Sequence, residues 1–313
     1  MKIQENIPLS DKNWFGTGGP ARFYCEPQTA EQFKSALLHT SSHNLDLFIV
    51  GQGANILISD DGFDGMVIKP YLKIITITPY NRDDAVFVTS GAGVTMPDLI
   101  DFCLQNNILG LEEFSGIPGT VGGSVYINLH YFDFLLSHFL HSAEIINKNT
   151  GTVLTVDNNW FNFAYDDSQL QKKDYFLVSA TFKLRYATEK ETAFACGRRT
   201  EIIRHRSHRY PQVATCGSFF RNFLPHEVTL EINQKKIIFV AYYLDKIGIK
   251  GTLRHGNALV SHQHANMIVN TGTATSADII AVAQEMQQLV KENYDIIPQP
   301  ECQLVGFKEY PLL

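Results

Sequence analysis

The sequence predicts an α+β fold divided into more than one domain. Three features of the chain predict it. Short alternating or apolar runs dominate the middle of the sequence, the period of strands. Helical stripes are few and lie mostly towards the two ends. Glycine-rich turns, with no helical pattern behind them, follow the early strands. At 313 residues the chain also exceeds one comfortable hydrophobic core.

The elements follow in order. Thr29–Leu38 reads as an amphipathic helix after Pro27, with Phe33, Ala36 and Leu37 on one face. Leu45–Val50 reads as a strand running into Gly51-Gln52-Gly53-Ala54-Asn55. The strand Ile56–Ser59, a turn at Asp60–Gly65 and the strand Met66–Lys69 come next, giving strand, glycine loop, strand, turn, strand. Further strands are expected at Ile74–Thr78, Ala85–Ser90, Ser142–Ile146, Thr152–Val156 and Tyr175–Leu184. A helix is expected over Met96–Asn106 after the turn Ser90–Gly93. Towards the end, Ile237–Ile247 and Ser276–Tyr294 read as helices, the latter N-capped by Ser276 with Asp278 in its first turn. Ala258–Val260 and Met267–Val269 read as strands. The expected boundaries are 1–71, 72–205 and 206–298, with 299–313 packing back on the first part.

Composition narrows the function. A net charge of −6 and a pI near 6.0 argue against a nucleic-acid partner. Cys25, Cys103, Cys196, Cys216 and Cys302 are odd in number and never form C-x-x-C. Free thiols in a reducing cytoplasm are therefore expected, with no disulfide frame and no zinc site. His262 and His264 lack a third ligand, so no metal is expected. The N-terminus has no apolar signal core, and the most apolar window, Tyr131–Leu140, is broken by Asp133, Ser137 and His138. No membrane partner is expected.

Two glycine motifs carry the chemistry. In Gly51–Asn55, glycines after a strand let successive backbone N–H groups converge on an anion such as a pyrophosphate. The same pattern also suits a hairpin turn with a glycine bulge. Gly116-Ile117-Pro118-Gly119-Thr120-Val121-Gly122-Gly123 is denser, with proline stiffening one side and glycines permitting close approach of a ligand. A long loop of this kind is functional or crosses between domains. Neither is the G-x-G-x-x-G fingerprint or a Walker lysine motif.

Taken together, Trp14–Phe23, Gly51–Gly65, Glu113–Val125, Cys216–Asn222, Ala258–Asn270 and Pro300–Gly306 resemble, in order, the UDP-N-acetylenolpyruvoylglucosamine reductases of bacterial cell-wall synthesis. The resemblance spans essentially the whole chain. It implies a two-subdomain FAD-binding fold of the vanillyl-alcohol-oxidase type plus a C-terminal α/β substrate domain. It also implies NADPH as hydride donor and a UDP-sugar as substrate, reduced at its enolpyruvyl group to UDP-N-acetylmuramate. FAD is then expected on Gly51, Gln52, Gly53, Ala54, Asn55, Ile56, Gly116, Pro118, Gly119, Thr120, Gly122, Gly123 and Ser124.

By the same resemblance Ser218 is the proton donor and Glu301 the catalytic carboxyl group. Tyr165, Arg221, Asn222, His264 and Asn266 belong to the substrate site. Arg221 stands where a lysine is usual and would bind phosphate bidentately. The basic run Arg204–Arg209 offers further cations or a solvated helix face. Asp166 stands at the family's arginine, where a carboxylate would repel the substrate carboxylate. Asn128–Phe132 replaces small residues, Ala54 a serine and Cys216 a small apolar residue. These departures leave an alternative: a flavoprotein of the same fold with another substrate or with lost activity.

Overall fold

The computed structural model describes residues 1–80, 85–211 and 214–313. It divides into two compact units. One comprises Met1–Glu5, Phe23–Gln52 and Gly65–His205; the other comprises Asn6–Arg22, Gly53–Asp64 and Arg206–Leu313. The stretch 1–71 thus contributes to both units. We call them the first and second unit.

The first unit is organised by an antiparallel sheet in the order Val153–Asp157, Leu140–Asn147, Tyr175–Tyr186, Ala85–Gly91, Ile75–Pro79, with Ile108–Leu109 added along Tyr175–Tyr186. Alternation fixes its register: Val86 and Val88 point into the core, as do Ala180, Phe182 and Leu184 on the neighbouring strand. Helix α1 (Ala30–Ser42) is capped by Thr29, whose side chain accepts the Gln32 N–H, and buries Phe33, Ala36 and Leu37 beside Met66, Ile68 and Leu72. Helix α2 (Met96–Gln105) is capped by Thr95, and its Leu99, Ile100, Cys103 and Leu104 enter the sheet core. Asp46–Ile49 runs parallel to Gly65–Ile68.

The helix Val121–Tyr126 and most of the helix Glu189–Arg209, whose last turn falls in the basic run Arg204–Arg209, are absent from the sequence reading. Helix α3 (Val121–Tyr126) lies where only a glycine loop was expected. Thr120 starts it by accepting the Gly123 N–H at 3.2 Å, and Gly122 packs on the Ala92 carbonyl, whose oxygen accepts the Gly122 N–H at 2.9 Å. Helix α4 (Glu189–Arg209) buries only Thr192, Ala195 and Ile202, so no apolar stripe announces it.

The second unit packs helices α5 (Val240–Ile247) and α6 (Ser276–Tyr294) with the antiparallel strands Arg254–His255, Ala258–Val260 and Ile268–Asn270. Helix α5 starts at Val240, three residues later than expected, because Ile237 and Ile238 are engaged elsewhere. The Ile237 N–H donates to Leu230, and the Ile238 carbonyl accepts the Phe223 N–H. The cap of α6 is Thr275, not Ser276. Thr275 accepts the Asp278 N–H at 3.1 Å and Asp278 accepts the Thr275 N–H at 3.0 Å, a reciprocal capping box. Ser276 is instead spent on Asp60, donating its hydroxyl and its N–H to the carboxylate. Gln303–Val305 pairs in parallel with Ile56–Ile58.

All five cysteines are free, and only Cys196 is exposed. Burial pushes the Cys25 and Cys103 thiols up to about 12, so both remain neutral core residues. Among the described residues, no helix is long and apolar enough to cross a membrane and no cluster of three metal-ligating side chains exists.

Candidate active site

In the second unit the N-terminal motif holds the first glycine loop. Asn13 donates its amide to the Leu9 and Thr17 carbonyls and accepts the Gly16 N–H, which fixes a tight coil. The Trp14 N–H then donates to the Gly53 carbonyl at 3.0 Å. Gly53 sits at φ +67°, and a Cβ there would come within 2.5 Å of the Asn13 Cα, so glycine is required on both counts. After it, the Asn55 carbonyl accepts the Gln303 N–H at 3.1 Å, and the Asn55 amide donates to the Glu301 carbonyl at 3.4 Å.

The same unit brings Ser218 and Glu301 onto paired segments. The Phe219 carbonyl accepts the N–H groups of both Glu301 (2.9 Å) and Cys302 (3.2 Å), Phe220 bridges to Pro300, and the Arg221 N–H donates to Gln299. Ser218 follows Gly217 at φ +83° and is half-buried; its hydroxyl bonds no protein group among the described residues. The residues expected at the flavin (53–56), the proton donor and the catalytic carboxyl group are therefore neighbours within one compact unit.

Other expected substrate contacts have structural partners. Buried Asn266 accepts the Phe219 N–H on its carbonyl and the Phe220 N–H on its side-chain oxygen, and donates its amide to the Phe220 carbonyl at 2.7 Å. It thus clamps the backbone behind Ser218. His264 accepts the Asn266 N–H at 3.3 Å, and burial, with Arg209 and Lys250 adding to it, pulls its imidazole down to about 4. His264 is accordingly neutral at pH 7, a hydrogen-bonding group and not a cation. His262 is exposed.

Arg221 grips Glu227 with both nitrogens, at 2.9 and 2.7 Å, and also donates to the Asn222 carbonyl. The guanidinium holds the Glu227 carboxyl at about 2, below its ordinary 4.5. A depressed acid stabilises the fold above its unfolded value and loses that contribution as pH falls through its folded one. Glu227→Gln should therefore cost about 1 kcal/mol near pH 6. The difference should shrink between roughly pH 4.5 and 2 in urea titrations followed by tryptophan fluorescence.

In the first unit the second glycine motif meets the start of the first. The Gln52 side chain accepts the Gly119 N–H at 2.7 Å, and a Cβ on Gly51 would lie 2.5 Å from the Thr120 hydroxyl. Gly116 and Gly119 sit at φ +76° and +145°. Pro118 and Gly119 are half-buried, Ser124 is buried, and Gly123 is exposed, where a Cβ would lie 3.6 Å from the Thr120 hydroxyl.

Tyr165 and Asp166 lie on a turn closed by Ala164 and Asp167, packed on the end of α3: the Ser168 hydroxyl donates to the Tyr126 carbonyl at 2.7 Å. Asp166 does not stand alone. Its Oδ1 lies 3.2 Å from His130 Nδ1, and the His130 ring packs on Tyr165 with centroids 4.7 Å apart. The sequence reading did not mark His130 as a site residue. The one available signal was that both partners sit at departures from the family pattern. Arg185 and Arg204 pair with Glu191 (3.0 Å) and Glu201 (2.8 Å).

The residues fit FAD. None of the N–H groups of Gly51, Gln52, Gly53, Ala54 and Asn55 donates to a protein acceptor among the described residues, which is the property a pyrophosphate nest requires. The Asn55 and Thr17 side-chain oxygens are buried with no protein partner, a cost a bound cofactor would relieve.

This fold and site define a flavin-dependent oxidoreductase, and a model of the FAD binding domain matches residues 21–157. A model of the C-terminal domain of UDP-N-acetylenolpyruvoylglucosamine reductase matches residues 208–305. Named relatives agree along the whole length. The UDP-N-acetylenolpyruvoylglucosamine reductase of Clostridium perfringens (strain SM101 / Type A) is 30% identical over 308 residues, covering 97% of this chain and 93% of that protein. The one of Lactobacillus delbrueckii subsp. bulgaricus (strain ATCC BAA-365 / Lb-18) is 32% identical over 307 residues, covering 98% and 96%. The crystal structure of UDP-N-acetylenolpyruvylglucosamine reductase from Thermus caldophilus matches with a TM-score of 0.76 at 25% identity, covering 98% of this chain and 100% of that one. The chain belongs to the UDP-N-acetylenolpyruvoylglucosamine reductase family.

Proposed function

We propose that the protein reduces UDP-N-acetylglucosamine enolpyruvate to UDP-N-acetylmuramate at the expense of NADPH, in the cytoplasm. It thereby supplies the peptidoglycan precursor on which cell shape and division depend. The observation that carries this reading is the pairing of Ser218–Asn222 with Gln299–Cys302 beside Gly53–Asn55.

FAD, when bound, supplies two-electron carriage between the nicotinamide and the enolpyruvyl carbon. The N–H groups of residues 51–55 would hold and orient it. Ser218 delivers the proton to the carbon beside the one that receives hydride, its position set by Asn266 and the Phe219 carbonyl. Glu301 polarises the enol. Asn222 contacts the sugar nucleotide, and Arg221 reaches its phosphate only by leaving Glu227.

The purified, FAD-loaded protein should oxidise NADPH only when UDP-N-acetylglucosamine enolpyruvate is added. Oxidation at the same rate with or without that compound would reject the reading.

A further inference from the structure

We infer that His39, in the last turn of α1, and His43, at its C-cap, form a two-histidine site for a divalent transition cation of the zinc and copper class. Side chains at this spacing share one helix face, so two imidazoles can close on a single ion as a chelate. Both residues belong to the first unit, and the inference is independent of the reductase reading.

Three observations lead there. First, the two rings are together. Their centroids lie 4.1 Å apart and their planes are tilted by 34°. Two imidazole nitrogens on one zinc ion, each at about 2.0–2.1 Å in a tetrahedral arrangement, are roughly 3 Å from each other. Rings this close reach that separation by small side-chain rotations. His43 is exposed and His39 half-buried, so water can complete the coordination from the open side.

Second, the lone pairs are available. His43 Nδ1 lies 2.8 Å from the His39 carbonyl oxygen, which can only accept, so Nδ1 carries the proton and donates it. The Ser42 hydroxyl donates to the same carbonyl at 2.9 Å and, 3.1 Å from Nδ1, accepts from it as well. His43 Nε2 is left as an acceptor. A metal-binding imidazole characteristically donates its other N–H to a backbone carbonyl or a carboxylate, which fixes the ring and raises its basicity. No hydrogen bond among the described residues engages the His39 ring nitrogens. Burial, with His43 adding to it, pulls the His39 imidazole below its ordinary value, so the neutral, coordinating form prevails at pH 7.

Third, the place suits a cation. The last turn of a helix carries the negative end of its dipole. The backbone there is set: the His43, Asn44 and Leu45 N–H groups donate to the His39, Ser41 and Thr40 carbonyls at 3.2, 3.2 and 3.0 Å, and Asn44 ends the helix at φ +50°. A chelate across His39 and His43 would fasten the turn that leads into the strand Asp46–Ile49. With two protein ligands and no third among the described residues, the site should rank ions by their affinity for nitrogen, Cu²⁺ above Zn²⁺.

Hydrogen exchange of the FAD-loaded protein over residues 39–46, followed during titration with Zn²⁺ at about pH 7.5, where imidazoles are neutral, reads this site even when other side chains bind the ion. The parent protein carries Cys196→Ser, which removes the exposed thiol as a competing ligand. Zn²⁺ should slow exchange of the Asn44 and Leu45 amides, and Cu²⁺ should do so at lower concentration. His39→Gln and His43→Gln should each raise the Zn²⁺ concentration required by at least the roughly 10- to 100-fold that loss of a mere supporting partner costs a metal site. Both should leave FAD binding and metal-free exchange as in the parent. His255→Gln, at the separate pair with Glu285, should leave the Zn²⁺ response unchanged.

If up to millimolar Zn²⁺ the exchange of residues 39–46 does not change, or if either histidine variant responds at the parent's concentration, the inference is overturned.

Discussion

Ser218→Ala is expected to slow reduction of the enolpyruvyl substrate about 10²- to 10⁴-fold, the range for removal of a positioned proton donor. The bleaching of bound flavin by NADPH should proceed at the wild-type rate. The reason is the division of labour in the second unit. Gly217, Asn266 and the Phe219 carbonyl fix the backbone, while the Ser218 hydroxyl bonds nothing else in the protein among the described residues. Its loss should therefore cost little stability and, on the proposed assignment, remove only the proton delivered when hydride adds to the neighbouring carbon. Rapid-mixing measurements of the two half-reactions separate these outcomes. A variant within threefold of wild type in both halves would mean that the proton comes from another group.

Gly123→Leu should produce a folded protein that holds FAD roughly 10- to 100-fold more weakly, equivalent to about 1–3 kcal/mol of overpacking against the ligand. Gly123 is exposed in the first turn of α3, and a Cβ there would meet only the Thr120 hydroxyl, at 3.6 Å. The protein itself has room for the side chain, and leucine favours a helix over glycine by up to about 1 kcal/mol. Gly122→Leu is the contrasting variant. Its Cβ would lie 3.1 Å from the Ala92 carbonyl, so the fold should be destabilised along with the cofactor site. Thermal melting of the apoproteins and FAD titration by fluorescence distinguish the two. A Gly123→Leu protein that binds FAD as tightly as wild type would make the second motif a packing device alone.

Much of this was legible because it is local. Strands with alternating burial, such as Ala85–Gly91, and the helix capped by Thr29 declare themselves in period and cap residues. The glycines of Gly51–Asn55 were legible as a class, but hairpin bulge and anion nest differ only in where the N–H groups point. The amides of residues 51–55 donate to no protein acceptor among the described residues, which is what a nest requires.

Long-range pairing was not legible. His130 and Asp166 are 36 positions apart, and each looked like an isolated departure until the turn at Ala164–Asp167 placed them together. Asn266 reads as a polar residue in a substrate motif, whereas its amide is consumed by the backbone behind Ser218. Helix α4 escaped because its few buried side chains include a threonine and an alanine, which carry no hydrophobic period. Helix α3 escaped because two glycines in its first turn argue against a helix by propensity.

The most direct test is an anaerobic single turnover. FAD-loaded protein is bleached with one equivalent of NADPH and then mixed with UDP-N-acetylglucosamine enolpyruvate. The predicted result is return of the oxidised flavin band together with one equivalent of UDP-N-acetylmuramate. A flavin band that stays bleached on addition of the substrate would contradict the account.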